Sequence, residues 1–352
     1  MSGATAKRDR SHSQGWKAWS KRNARWLKPL FAVLVLGLAA FLLYRTLSHY
    51  ETEELVASVI AIPLVQLGWA FLFAAASYGC LTGFDYLALR YAGHPLAYRR
   101  AALASFVSLS LGHNIGFAAL SSGTIRYRFY SRWGLDAEAV GKLILFCGAT
   151  VGLGLATLGG LALILRPGLA AEIIGIGRPA VLSLGALSLA APLAYLALAA
   201  FLRRPLVIRN WSFGMPGLGL AAAQILVGTA NFACVAACLH QVLSAVEDLP
   251  YLSVAAVYVI AILASLVTHV PGGLGVIESV VVHLLPGERL IGAVLVFRFV
   301  YFLVPLALGS VIFMASEILL RGARGASAKT SGVEKASAKD APGRSASSRA
   351  PA

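Results

Sequence analysis

Between Tyr251 and Leu285 the chain is apolar except around one stretch, His269-Val-Pro-Gly-Gly-Leu-Gly-Val-Ile-Glu278. A run this apolar belongs in a bilayer, where backbone polar groups must be bonded within the segment and a helix is the default form. Proline lacks the N–H and clashes with the preceding turn, so the helix is expected to stop at about Val270. Residues 274–285 then make a half helix of roughly 18 Å, about half of a membrane that takes about 20 residues to cross. The expected form is a re-entrant hairpin with its bend near the bilayer midplane. Broken backbone survives at that depth only where it is buried in protein or lines a wet cavity. Glu278 sits one turn into the half helix, and an acid inside a membrane is by default a functional residue.

Other apolar runs exceed 18 residues, 58% of the 352 residues are hydrophobic and only 13% are charged, which points to an all-α polytopic membrane protein. No soluble domain fits between the runs. The first run, Pro29 to Leu47, follows a basic segment and lacks a small-residue cleavage site, so it is expected to be an uncleaved anchor. The net charge of +15 would suggest nucleic acid in a soluble protein. Its distribution argues otherwise. Residues 1–28 carry eight basic residues and one acid, and residues 321–352 carry seven and two, so the tails hold +12 of it. That pattern suits a cytoplasmic location and anionic lipid headgroups at both tails, and without a recognition module no nucleic acid partner is expected.

Taken in order, the chain is expected to hold a basic cytoplasmic arm (1–28), a transmembrane domain (29–320) and a disordered basic cytoplasmic tail (321–352). Full spans are expected at about 29–47, 63–89, 141–165, 179–202, 216–243 and 289–318. Residues 101–120 are too polar for a span, and a crossing there would place Arg126, Arg128 and Arg132 outside. A second re-entrant hairpin, broken near Gly112-His113-Asn114, resolves both difficulties. With six full spans and two re-entrant hairpins, the halves at about 29–165 and 179–318 each contain three crossings. They therefore form an inverted repeat, with both termini cytoplasmic and a bacterial inner-membrane location. A faint echo, Ser108-Leu-Ser-Leu-Gly-His113-Asn-Ile-Gly116 against Ser265-Leu-Val-Thr-His269-Val-Pro-Gly-Gly273, accompanies it.

Charges at or near membrane depth are few: Asp85, Arg126, Arg128, Lys142, Glu278 and Arg298. An unpaired charge at a helix centre costs about 2.5–3.5 kcal/mol on insertion scales, so pairing is expected. Glu278 suits Arg298 in depth, and Asp85 has Arg126 and Arg128 as candidate partners. Such pairs either pin the hairpins to neighbouring spans or open to hold a charged headgroup. The N–H groups at Gly272 to Gly275 open a half helix, an end that attracts anions, and could share a phosphate with Arg298. His113 and His269 stand beside the two breaks, where a hydrogen-bonded structural role is the commoner explanation and a gate or proton relay the sharper one. Cys80, Cys147, Cys234 and Cys238 lie in apolar segments and read as small hydrophobes. There is no His-Glu-x-x-His, Gly-x-Ser-x-Gly or P-loop motif, so neither an enzyme nor a cofactor is expected.

The segments Ser121-Ser-Gly-Thr-Ile-Arg126-Tyr-Arg128-Phe-Tyr130, with Gly134, and Val270-Pro-Gly-Gly-Leu-Gly-Val-Ile-Glu278 resemble the membrane region of bacterial lysyl-phosphatidylglycerol synthase/flippase proteins, the multiple peptide resistance factors, and their stand-alone relatives. The similarity covers about residues 29–320. It implies a lipid translocase that moves a phospholipid, aminoacylated or not, between leaflets, with Arg126, Tyr130, Pro271, Gly272, Gly273 and Glu278 as matched positions. Asp85 is similar in placement to an acid of that region. Bifunctional members continue into a soluble aminoacyl-transferase domain that does not follow here, so synthase activity is not expected. Lysyl-phosphatidylglycerol would have to come from a separate lipid-modifying synthase, and polyprenyl- or hopanoid-type lipids are alternative cargoes. The resulting substrate-binding set is Asp85, Arg126, Arg128, Tyr130, His269, Gly272, Gly273, Glu278 and Arg298. A homo-oligomer is an open expectation. A scaffold for a lipid or envelope-glycan enzyme and a small-solute transporter are the competing readings.

Overall fold

The computed structural model describes residues 60, 62–115, 118–202, 206–208, 211–287 and 290–317. The arm 1–28, the expected span 29–47 and the tail 321–352 lie outside these residues. The chain divides into one compact unit ending at Ser310 and another from Val311 onward. Every contact discussed below lies within the first.

The regular structure among the described residues is helical apart from one small antiparallel hairpin, β1 (Leu206–Ile208) with β2 (Trp211–Phe213), which the sequence reading did not anticipate. The helices are α1 (Leu64–Tyr91), α2 (Tyr98–Ile115), α3 (Ala118–Tyr130), α4 (Ala137–Leu165), α5 (Pro167–Ile174), α6 (Arg178–Phe201), α7 (Leu218–Leu243), α8 (Tyr251–Thr268), α9 (Val276–Leu284) and α10 (Leu290–Glu317). Six of them, α1, α4, α6, α7, α8 and α10, are long and apolar enough to cross a membrane. Five match expected spans closely. The sixth, α8, is the first arm of the expected hairpin.

Local chemistry sets several ends. Asp136 caps α4 by accepting from the Ala139 N–H at 2.8 Å, with Glu138 in the first turn favoured by the helix dipole, so α4 starts before the expected residue 141. α5 and α6 each begin with proline in the first turn, where the missing N–H costs nothing. Small residues fix the crossings: a Cβ on Gly154 of α4 would lie 2.6 Å from the Gly228 carbonyl oxygen of α7. The first part of α10, from Leu290 to Leu306, is buried almost throughout, whereas α6 exposes Leu182, Leu184, Leu187, Leu193 and Leu198 as a lipid-facing helix does.

Two helix pairs interrupt the long helices. In the first, α2 and α3, the expected break at Gly112-His113-Asn114 is helical, since α2 runs on to Ile115, and α3 is described from Ala118. Gly112 does not break the helix. It lets the two arms touch, since a Cβ there would come within 2.7 Å of the Ser122 Cβ. Asn114 stays helical too, donating to the Ser110 carbonyl at 2.8 Å. The base of this pair is closed: Arg100 at the start of α2 lies 5.8 Å from the Trp133 ring just beyond α3.

In the second pair, α8 and α9, the break is close to where proline and glycine chemistry puts it. α8 ends at Thr268, His269 takes a left-handed conformation (φ 54°), a 3₁₀ turn covers Pro271–Gly273, and α9 starts at Val276. The base is again closed, with Glu247 beside Gly287. The arms, however, are unequal. α8 has 18 residues, about 27 Å at 1.5 Å per residue against a hydrocarbon core of about 30 Å, so it must tilt steeply for the bend to sit at mid-depth. α2 also has 18 residues, which makes the two hairpins alike.

Candidate functional site

Ser122, Arg126 and Tyr130 recur every fourth residue along α3 and so share one face. That face meets Asp85, about two turns before the end of α1. Arg126 donates through Nη2 and Nε to Asp85 Oδ1 and Oδ2 at 2.7 and 3.0 Å, the two-point geometry that arginine offers a carboxylate. The Tyr130 hydroxyl donates to Oδ2 at 2.7 Å, Cys147 of α4 approaches Oδ1 at 3.7 Å, and Arg126 Nη1 donates to Ser122 Oγ at 3.2 Å. Asp85 is wholly buried and Arg126 nearly so. A charge pair out of water persists only with most of its lone pairs and N–H groups engaged, and here both carboxylate oxygens and three guanidinium N–H groups are bonded. Of the two candidate partners, Arg126 takes the acid. Arg128, about 200° further round the helix, is only half-buried and is not among the groups bonded to Asp85.

The second charge pair forms as expected. Arg298 binds Glu278 through Nε on Oε1 and through Nη2 on Oε2, the latter at 2.7 Å. The same guanidinium donates to the carbonyls of Gly272 (2.8 Å) and Gly273 (2.6 Å), and its Cζ lies 5.4 Å from the Phe302 ring centre. This corrects the expectation for the glycines. Gly272 and Gly273, both at positive φ, turn carbonyls, not N–H groups, toward the arginine. Meanwhile the N–H groups of Gly273 and Leu274 are used by the carbonyls of Val270 and Pro271. The gap beside Arg298 is about 10 Å³, at the lower limit for one water. In this arrangement Arg298 clamps the helix break.

A cavity of about 820 Å³ lies between the hairpins. Its walls are mostly aliphatic, from α4, α6 and α8. The first hairpin contributes His113, Ser122 and Arg126, and the second contributes Ser265, His269, Gly272 and Gly273. Of the nine residues proposed from sequence, Arg126, His269, Gly272 and Gly273 reach this cavity. Asp85, Tyr130, Glu278 and Arg298 stand behind it, and Arg128 lines neither space. The His269 ring is exposed, with Nδ1 at 2.9 Å from the Val267 carbonyl.

The sequence reading missed a third polar group at this cavity. Asn231 of α7 and Tyr301 of α10 both line it, and Ser77 of α1 joins them, donating to Asn231 Oδ1 at 2.7 Å and lying 3.0 Å from the Tyr301 hydroxyl. Tyr301 sits in a π turn, Phe299–Leu303, a helix irregularity often found at functional sites. An amide at the middle of a 26-residue apolar helix was the signal available for Asn231.

No protein-family model matches the chain. It is 30% identical over 277 residues to the uncharacterised protein slr0712 of Synechocystis, an alignment covering 78% of this chain and 86% of that protein. It is 28% identical over 281 residues to the inner membrane protein YbhN of Escherichia coli, covering 74% and 80%. Neither carries the name of the lysyl-phosphatidylglycerol synthase/flippase proteins, so that resemblance rests on the two motifs alone.

Proposed function

The chain belongs to the same family as the Synechocystis protein slr0712, and on that premise we propose that this multi-pass membrane protein is a lipid translocase of the bacterial inner membrane, moving a phospholipid between leaflets. The observation that carries the reading is the cavity: apolar over most of its wall, polar where the two hairpins meet it, and bounded on one side by helices that leave a gap. α6 and α8 both line it, through Leu184 and Ser188 on one and Leu263 and Leu266 on the other, yet they do not pack along each other. The short α5 packs against both. A gap between apolar helices lets a headgroup enter from the side while its tails stay among lipid tails. A small polar solute would gain nothing from such walls, and a scaffold has no use for the interior space.

The hairpins supply a route to both faces. Each has its two ends together, and the three long helices between them, α4, α6 and α7, amount to an odd number of crossings. Their bases thus fall on opposite sides of the membrane, as in transporters built from inverted halves. Arg99, Arg100 and Arg132 at the first base and Glu247 and Asp248 at the second favour the cytoplasm for the first, and with the span expected at 29–47 this reading has both termini cytoplasmic. The sequence holds no P-loop motif, and on this reading transport runs down a gradient of lipid, ion or voltage.

The test is reconstitution. In liposomes with a fluorescent phosphatidylglycerol in both leaflets, a membrane-impermeant quencher should reach the inner-leaflet lipid only when the protein is present. Ala156→Trp, which fills the cavity without touching either ion pair, should abolish that access at unchanged folded yield. Wild-type protein no faster than empty liposomes, or Ala156→Trp as fast as wild type, would overturn the reading.

A further inference from the structure

We propose that the cavity selects an anionic phosphate ester as the headgroup of its lipid and disfavours a cationic, aminoacylated one. The proposal rests on the lipid reading above and adds the substrate class. Among the described residues lining the cavity there is one cation, Arg126, and no aspartate, glutamate or lysine. Asp85, which neutralises Arg126, is not on the cavity wall: it is wholly buried, with its carboxylate held by Arg126 and Tyr130. The ion pair is therefore oriented. Its negative end points into protein and its positive end faces the cavity, where low dielectric strengthens the field.

Two sets of donors face the same space. Arg126 has five N–H groups, of which three are engaged by Asp85 and Ser122, and its guanidinium borders the cavity. Asn231 is 2% exposed, and its Oδ1 accepts from Ser77. Its amide N–H groups have no acceptor among the described residues, although the side chain borders the cavity. A buried amide with unused donors is matched by an acceptor-rich ligand. A phosphate ester supplies acceptor oxygens and the charge to meet the guanidinium. A lysyl group esterified to the headgroup glycerol beyond the same phosphate adds ammonium groups, and no described lining residue can neutralise them in an apolar setting.

The test separates binding from transport. The full chain, purified in detergent, is titrated with phosphatidylglycerol, lysyl-phosphatidylglycerol and glycerol 3-phosphate, and bound species are counted by native mass spectrometry. Phosphatidylglycerol should bind at least about tenfold more tightly than its lysyl ester. Glycerol 3-phosphate should compete poorly, because it lacks tails. Equally good competition by glycerol 3-phosphate would keep the phosphate site and overturn the lipid as its source.

Two variants probe the charge. Asp85→Asn with Arg126→Gln removes both halves of the pair and should abolish the preference for the anionic lipid. His269→Asp places a carboxylate at the cavity edge in a residue type that tolerates the left-handed backbone, and should shift the preference toward the lysyl lipid by about tenfold. Equal affinity of the wild type for the two lipids, or an unchanged ratio in both folded variants, would overturn the proposal. Selective binding without lipid movement in liposomes would leave this site standing and remove the translocase reading instead.

Discussion

Arg298 donates through Nη1 to the carbonyl of Gly272, 2.8 Å away and 26 residues earlier in the chain. That bond, with its neighbour to Gly273 and the two to Glu278, gives the loose carbonyls of a broken helix a partner inside the protein. It is how this chain meets the requirement that backbone within a membrane leave no polar group unbonded.

Arg298→Gln should therefore act on stability. It removes the guanidinium that holds the buried Glu278 carboxylate and should cost about 3–5 kcal/mol, read as a lowered midpoint of unfolding in detergent. Arg298→Lys should recover only a minor part, because a point charge cannot reproduce the fork that serves carboxylate and carbonyls together. Wild-type stability in Arg298→Gln would show that the clamp does not hold the hairpin.

The Asp85–Arg126 pair predicts strong coupling. Asp85→Asn and Arg126→Gln should each destabilise by about 3–5 kcal/mol, and the double variant by much less than their sum, since it removes both charges. A double-mutant cycle on unfolding free energies measures this. Additive losses would mean that the two side chains do not depend on each other.

Glycines at the break should differ in their tolerance of a side chain. At Gly273 a Cβ meets Ser265 Oγ at 2.5 Å in a backbone already at φ +59°, whereas at Gly275, φ +76°, nothing lies within 4 Å. Gly275→Ala should cost only the left-handed strain, about 1–2 kcal/mol. Gly273→Ala should cost more, and Ser265→Gly should restore part of the difference. Equal losses at the two positions would argue against the close approach of α8.

Topology is open to labelling. In a background without native cysteines, Ala97→Cys at the base of the first hairpin and Asp248→Cys at the base of the second should react with an impermeant maleimide from opposite faces of the membrane. Both positions are exposed. Reaction from the same face would remove the inverted arrangement, and with it the route between leaflets.

Much of this was legible because it is local. Pro271 forces a break by its missing N–H, and the expected stop at about Val270 and half helix over 274–285 compare well with Thr268 and Val276–Leu284. Gly112 misled because glycine permits a break without forcing one, and here it serves contact between two arms. The pairing of Glu278 with Arg298 was readable since a charge at membrane depth needs a partner. Which arginine Asp85 would take was not readable, because Arg126 and Arg128 are equally near in sequence and only the facing of α3 separates them.

By itself, then, the sequence determined what single residues and short spacings enforce: membrane-spanning helices, a proline-driven interruption, and the scarcity of charge that obliges acids and bases to meet. The tertiary structure alone decided the direction of each polar group. Helix packing put Asp85 behind Arg126 and Asn231 on the cavity wall, and the left-handed glycines turned carbonyls rather than N–H groups toward Arg298. Those directions follow from how helices distant in sequence lean on one another, and no local pattern carries that information.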